Sequence, residues 1–473
     1  MINNEEFVLS NKVTSSNFEM ENEELEKKEK NITVEVIDFL DGYTKLCQQK
    51  KSPVVKTIQK LLQVAIDGGH VPKKLDFRGT CNELKYDRIN NETLENVLKP
   101  LSSSTFLREI NLSFNEIGDK GAMEIASYIK CDLTLEVLHL NSNNIGVEGG
   151  TAIAQALLIN ESLFTLNIAY NHIKDEGGME FASMLQINKK LCTLNLSGCS
   201  LNARSIIALS TVLQNNSTMK SITLTDNRSN LSTLTQSLQN DVVMHLSRML
   251  KLNTFLQEIG LAKLGITDWS TIDMLSKALK ISNGLRVLDL SCNKISRDGG
   301  VAICQALHDH PTLRTLKLSC CSILDEGAEA VGEFLSKNKE INNLYLDHNG
   351  ISGVGLEAIA KGIMESRSLF RITLWGNIWD VAACEAFSKL IGGVVCENKV
   401  GVNEDILPDV LHASNLKNLN VTENFVDSKL YSKNSNKAFA KKCSRLNKNQ
   451  VDFVVYSVEG VLNIAHQELV ENY

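Results

Sequence analysis

The chain has 473 residues, 43% of them hydrophobic and 22% charged, with a formal net charge of −7. That balance is expected of a soluble folded protein and argues weakly against a molecule built as a whole to bind nucleic acid. No run of about 18 apolar residues occurs, so no membrane-spanning helix is expected; Met1-Ile-Asn-Asn-Glu-Glu lacks the basic and apolar regions of a secretory leader, so the twelve cysteines are expected to be reduced thiols of an intracellular chain, in cytoplasm or nucleus.

In chain order, residues 1–31 are polar and acid-rich (Glu21-Asn-Glu-Glu-Leu-Glu) and expected to be disordered. Residues 32–71 hold two amphipathic runs, Val36–Leu40 and Val54–Val64, whose apolar spacing is helical. Pro53 suits a first helical turn, and the pair reads as an N-terminal cap. A degenerate repeat follows, with Leu75-Asp-Phe77 as strand and Asn91 to Leu101 as helix. The pattern L-x-x-L-x-L-x-x-N then recurs with leading residues Leu107, Leu135, Leu163, Leu191, Met219, Leu256, Leu285, Leu313, Ile341 and Leu369. Steps are 28 residues apart from a 37 before Leu256 and a 29 after it. A fixed period of this length is the mark of a stacked repeat array.

Each repeat reads as a short strand, its apolar residues alternating with period two, then a helix opening on an acidic residue and glycines (Asp119-Lys-Gly-Ala, Asp175-Glu-Gly-Gly, Asp325-Glu-Gly-Ala). Acidic residues at a helix start suggest capping of that helix. Strands pair about 4.8 Å apart and helices pack at about 8–10 Å. The expected fold is therefore an α/β solenoid, a curved horseshoe with parallel strands on the concave side and helices on the convex side. The closing Asn or Cys of each repeat (Asn115, Asn143, Asn171, Cys199, Asn227, Asn293, Cys321, Asn349, Asn377) is expected to form a buried ladder to backbone. Leu264 breaks it, just after an insertion at 229–254 that holds one longer helix around Val242–Leu250 or a partner-binding excursion. The array is expected to span 72–392. An irregular basic segment, 393–450, and C-terminal cap strands at 451–473 with a turn at Glu459-Gly460 complete the chain.

The 28-residue period, the Asn/Cys column and the long helical half resemble the ribonuclease-inhibitor-like class of leucine-rich repeats over about 72–392. Within it, the stretches Gly177–Asn188, Leu288–Ile295 and Trp375-Gly-Asn377 are similar to one subfamily, from which 397–450 departs as an added segment. The resemblance implies a non-enzymatic protein-interaction scaffold in a nuclear or nucleolar setting connected with ribosome biogenesis. Related arrays imply two alternatives: a structural adaptor of a ciliary or flagellar axonemal complex, and a small-GTPase regulator of the Ran GTPase-activating type. Against the last, 429–450 is basic where those regulators carry an acidic tail.

No catalytic, cofactor or metal residues are expected. Gly353-Val-Gly355-Leu-Glu-Ala358 fits a dinucleotide-binding fingerprint, but the same slot recurs in other repeats, so these glycines are expected to shape a repeat turn. His308-Asp-His310 reads as a solvated loop, and Cys320-Cys321 as a ladder position and its neighbour. Outward strand residues are small and neutral early on (Asn111, Ser113, Asn167, Ala169, Thr193, Asn195, Thr223, Thr225). Later they become Tyr345, Asp347, His348, Arg371, Trp375 and Trp379, types that dominate interface hot spots. These six are the candidate protein-binding residues; the alternative is that Trp375 and Trp379 pack as a cap. The basic run Lys429, Lys433, Lys437, Lys441, Lys442, Arg445 and Lys448 is a solvated linker, an import signal or a weak nucleic-acid contact. Its only aromatic residues are Tyr431 and Phe439, too few for specific RNA reading.

Overall fold

A computed structural model describes residues 34–52, 54–68, 72–80, 88–102, 104–227, 236–390 and 420–422. They fall into two compact units, divided between Leu209 and Ser210.

The first unit opens with helices α1 (34–50) and α2 (Lys56–Asp67). Val36, Phe39, Tyr43 and Cys47 recur at three- and four-residue spacing and are buried, as are Ile58, Leu62 and Ala65. This is the apolar stripe of a helix that covers a core. The Tyr43 hydroxyl, carried inside, accepts the Val55 N–H at 2.9 Å and so ties the start of α2 to α1. Strand and helix then alternate as β1 (Lys74–Asp76), α3 (Asn91–Leu101), β2 (Glu109–Asn111), α4 (Asp119–Cys131), β3 (Val137–His139), α5 (Val147–Leu157), β4 (Thr165–Asn167), α6 (Lys174–Ile187), β5 (Thr193–Asn195) and α7 (Ala203–Leu213), within which the unit ends. All five strands run parallel. Leu75, Ile110, Leu138, Leu166 and Leu194 lie abreast, one period apart from β2 onward.

The second unit continues with β6 (Ser221–Thr223), α8 (Gln236–Leu252), β7 (Glu258–Gly260) and α9 (268–279), a helix interrupted by a π-helical turn over Thr271–Leu275. It goes on through β8 (Val287–Asp289), α10 (Ser296–Leu307), β9 (Thr315–Lys317), α11 (Leu324–Lys337), β10 (Asn343–Tyr345), α12 (Gly353–Glu365), β11 (Arg371–Thr373) and α13 (Val381–Leu390). Its strands are also parallel, with Ile222, Ile259, Leu288, Leu316, Leu344 and Ile372 abreast. This repeated alternation is that of a leucine-rich repeat solenoid.

In each repeat the residues at the first, fourth and sixth positions, such as Leu163, Leu166 and Ile168, are fully buried with the inner face of the following helix. Each such side chain stabilises the fold by roughly 1.5–3 kcal/mol through apolar area removed from water. Helix glycines set how closely neighbouring layers approach. A Cβ on Gly332 of α11 would lie 2.4 Å from the Ala358 carbonyl oxygen of α12. One on Gly362 would lie 2.2 Å from the Gly332 oxygen, so the two helices meet backbone to backbone.

The strands also reach past 392, where the sequence reading ends the array. β12 (Asn420–Thr422) lies parallel to β11 and pairs Val421 with Ile372, within the segment expected to be irregular. The spacing of Leu416, Leu419, Val421 and Asn424 also fits the repeat, but that frame would set Leu419 against Ile372, two residues from the observed pairing. The expected disordered N-terminus, Pro53 and the 451–473 cap strands lie outside the described residues.

Candidate functional site

Outward strand side chains can present a binding surface only if the backbone beneath them is held at fixed spacing, and three periodic devices hold it. The first is the closing Asn. Asn171 is fully buried; its amide donates to the Leu140 oxygen of the preceding repeat and to its own Ile168 and Ala169 oxygens, while its Oδ1 accepts the Ile145 N–H. Asn115, Asn143, Asn293, Asn349 and Asn377 likewise bond across the repeat boundary; Asn227 donates to Leu224 O. Where Cys replaces Asn, the Cys199 thiol donates to Ile168 O and the Cys321 thiol to Leu290 O, both at 3.3 Å. Burial pushes both thiols up to about 12, so they remain protonated donors. Leu264 offers no side-chain bond, and the gap is closed from the next repeat: Asn293 Oδ1 accepts the N–H groups of Leu264, Gly265 and Ile266.

A second column stands three residues before each leading leucine and was not foreseen. Asn160, Asn188, Asn253 and Asn338 each donate to the last helical carbonyls of the preceding repeat and accept N–H groups of their own turn. Period 28 would have shown it, had the strand motif not been read alone. His310 occupies that slot, which corrects the solvated-loop expectation: it is 3% exposed. Its Nδ1 accepts the Leu313 N–H at 3.2 Å, so Nε2 carries the hydrogen and meets Ser282 Oγ at 3.0 Å. Burial lowers its pKa.

The third device corrects the expectation that acidic residues cap their own helices. Asp119 Oδ1 accepts the N–H groups of Gly146 and Gly149, which open α5, one repeat further on. Asp175 serves Asn202 and Ser205, Asp268 serves Gly299 and Asp325 serves Ser352. The Gly353–Ala358 fingerprint is filled in this way. The amide entering α12 already holds Asp325, and a Cβ on Gly353 would strike the Asp380 carboxylate. Two carboxylates at a helix start leave no place for a phosphate.

The residue before the ladder is left-handed in every full repeat, with φ from 52° to 71°. In eight of the ten it is not glycine: Phe114, Ser142, Tyr170, Asp226, Lys263, Cys292, Cys320 and His348. Gly198 and Gly376 are the exceptions, and there a Cβ would lie 2.4 Å from the ring of Tyr170 or His348 respectively.

On this frame the two units present different strand faces. In the first, Lys74 pairs with Glu109 at 2.7 Å and His139 stands 3.7 Å from the same carboxylate, so the face is not wholly neutral; Thr165, Asn167, Thr193 and Asn195 follow. In the second, Lys317 Nζ lies 5.5 Å from the centroid of the Tyr345 ring and 3.7 Å from Asp289. Asp347 is a bracket: its carboxylate accepts from Ser319 Oγ, Thr373 Oγ1 and the Trp375 N–H. His348 is exposed above Gly376, Trp375 is half-buried, and Arg371 is exposed with no ion-pair partner among the described residues. Trp379 does not belong with them. It is 9% exposed and packs edge-on against Phe387 at 5.0 Å, so its place is the core beneath α13.

Lys433, Lys437, Lys441, Lys442, Arg445 and Lys448 lie outside the described residues. Among the described residues, no group of three His, Cys, Asp or Glu side chains is arranged to hold a metal, and no helix is long and apolar enough to cross a membrane.

A leucine-rich repeat family model matches residues 103–126, 132–154, 160–182, 283–304, 309–332 and 337–360. The chain is 38% identical over 96 residues to leucine-rich repeat-containing protein 34 of Mus musculus, covering 20% of this chain and 21% of that protein. To the Rattus norvegicus protein of the same name it is 41% identical over 63 residues, covering 13% and 15%. The chain thus matches about a fifth or less of the length of these relatives. Among solved structures, the complex of Rad7 and Elc1 from yeast aligns at 15% identity over 82% of this chain and 91% of the other, with a TM-score of 0.40. The actin-binding site 2 of leiomodin-1 aligns at 24% identity over 35% and 91%, with a TM-score of 0.28.

Proposed function

From the premise that the chain carries a leucine-rich repeat array, whose stacked strands form an extended binding surface, we propose that it is a non-enzymatic scaffold that grips a protein partner on the strand face of its second unit. The observation that carries this reading is the group Lys317, Tyr345, Arg371 and Trp375, in which a pre-stacked cation and aromatic ring share a strand face with a guanidinium that has no ion-pair partner among the described residues. Asp347 spends its hydrogen bonds on three neighbours, so it supports this group rather than contacting a partner. Trp379, being core, is not part of it.

The test has two steps. A photo-crosslinking residue at position 375 identifies the partner in cells, and affinity is then measured for Tyr345→Ala and Arg371→Ala. Hot-spot truncations of this kind cost 2 kcal/mol or more, roughly a thirtyfold loss. Unchanged affinity in both variants sinks the reading. We further propose a nuclear or nucleolar setting, which rests on the subfamily resemblance alone; imaging of the tagged endogenous protein tests it, and exclusion from nuclei refutes it.

A further inference from the structure

Cys292 and Cys320 hold the same place in consecutive repeats, the left-handed residue before the ladder, each with φ of 57°. β8 and β9 pair Asp289 with Lys317, and three residues on from each the register brings Cys292 beside Cys320. The parallel ladder runs unbroken to that point: Leu290 N–H donates to Lys317 O at 2.9 Å and Cys292 N–H to Ser319 O at 2.8 Å. Neighbouring strands lie about 4.8 Å apart, inside the roughly 4.4–6.8 Å separation of α-carbons that a disulfide spans. Equal backbone angles send both side chains to the same side. The two thiols are in hydrogen-bond contact, and that contact, with burial second, holds the Cys320 thiol well above its ordinary range.

Both cysteines are reduced; Cys320 is exposed and Cys292 half-buried, so small thiol reagents can reach them. Cys321 is committed elsewhere, buried with its sulfur on Leu290 O. No other two cysteines of the chain share a repeat position in adjacent repeats.

We propose that Cys292 and Cys320 form a reversible dithiol–disulfide site that staples two adjacent repeats at the edge of the second unit's strand face. The oxidant is a small-molecule disulfide such as oxidised glutathione. One thiol loses its proton and attacks a glutathione sulfur, giving a mixed disulfide and releasing one glutathione thiolate. The second thiol, deprotonated in turn, attacks the protein sulfur of that mixed disulfide and releases the second. A Cys292–Cys320 bond forms, the glutathione disulfide bond breaks, and two reduced glutathiones carry away the two protons. The bond closes a 28-residue loop, which restricts the unfolded chain and raises stability. The inference does not depend on which partner the face binds.

The experiment equilibrates the full chain with graded ratios of oxidised to reduced glutathione, alkylates free thiols and digests with trypsin without reduction. The expected product joins peptide 287–294 to peptide 318–337, with fragment ions placing the link at Cys320. It disappears on dithiothreitol treatment and in Cys292→Ser and Cys320→Ser. The oxidised wild type melts several degrees higher than the reduced protein, and neither variant shows that rise. A link that persists in Cys320→Ser, glutathione adducts at both positions with no link, or no oxidation at the most oxidising ratio overturns the proposal.

Discussion

At the scale of single residues, the repeat boundary is held by side chains bonded in both directions. Asn171 is fully buried and makes three donor contacts and one acceptor contact. Asn171→Ala strands backbone groups in the core and is expected to cost about 3 kcal/mol. Asn171→Cys keeps one donor, as at Cys199, and should cost less; urea unfolding that ranks them the other way contradicts the ladder account. His310 adds a pH signature. Its folded pKa lies below the unfolded value because burial disfavours the charged ring. Its contribution to stability is therefore complete above the unfolded value near pH 6.5 and is lost as pH falls toward the folded pKa. His310→Asn, which restores the residue of that column, should lose less stability between pH 7.5 and 5.5 than the wild type in parallel denaturation curves. Gly376 shows that space, not φ alone, selects glycine, since eight other residues adopt the same φ region. Gly376→Ala should destabilise by about 1–3 kcal/mol, and much of that should vanish in a His348→Ala background; additive costs in the double-mutant cycle refute the clash. The ladder residues were legible because their period is printed in the sequence. His310 was not, because a single histidine beside a helix end says nothing of burial until the column it fills is counted.

At the scale of elements, each strand and helix of the full repeats followed from period and alternation, whereas the direction of capping did not. A carboxylate at a helix start suggests service to that helix, yet stacking sets it against the amides one layer on. Asp119→Ala is accordingly expected to cost about 1 kcal/mol and to speed amide exchange at Gly146 and Gly149, at the start of α5. Faster exchange confined to the start of α4 contradicts the assignment. Trp379 shows the other limit of reading. Its side chain type suited an interface as well as a core, and only its packing on Phe387 decides between them.

At the scale of the whole molecule, the two units share one backbone plan and differ in the chemistry of their strand faces. A partner held through Arg371 should bind more weakly as salt rises, because an exposed charge is screened over about 10 Å at 0.1 M. In Arg371→Ala the salt dependence should flatten, and titrations at two ionic strengths read it. The period and the strand–helix alternation were legible in the sequence, but the strand at 420–422 was not, and neither was the partner, since its identity depends on a surface that the chain does not contain. The inter-repeat caps also bear on how far a change in one layer reaches. Asp119 and Asp175 stand 56 residues apart and Asp268 and Asp325 stand 57, while Val147, Ala203, Arg297 and Gly353 hold the intervening slots. Giving and receiving are not exclusive, for α4 gives through Asp119 and itself receives from Asn91, whose Oδ1 accepts the N–H groups of Gly118 and Gly121. The loss of one such carboxylate is therefore felt one layer further on, at amides 27–31 residues along the chain.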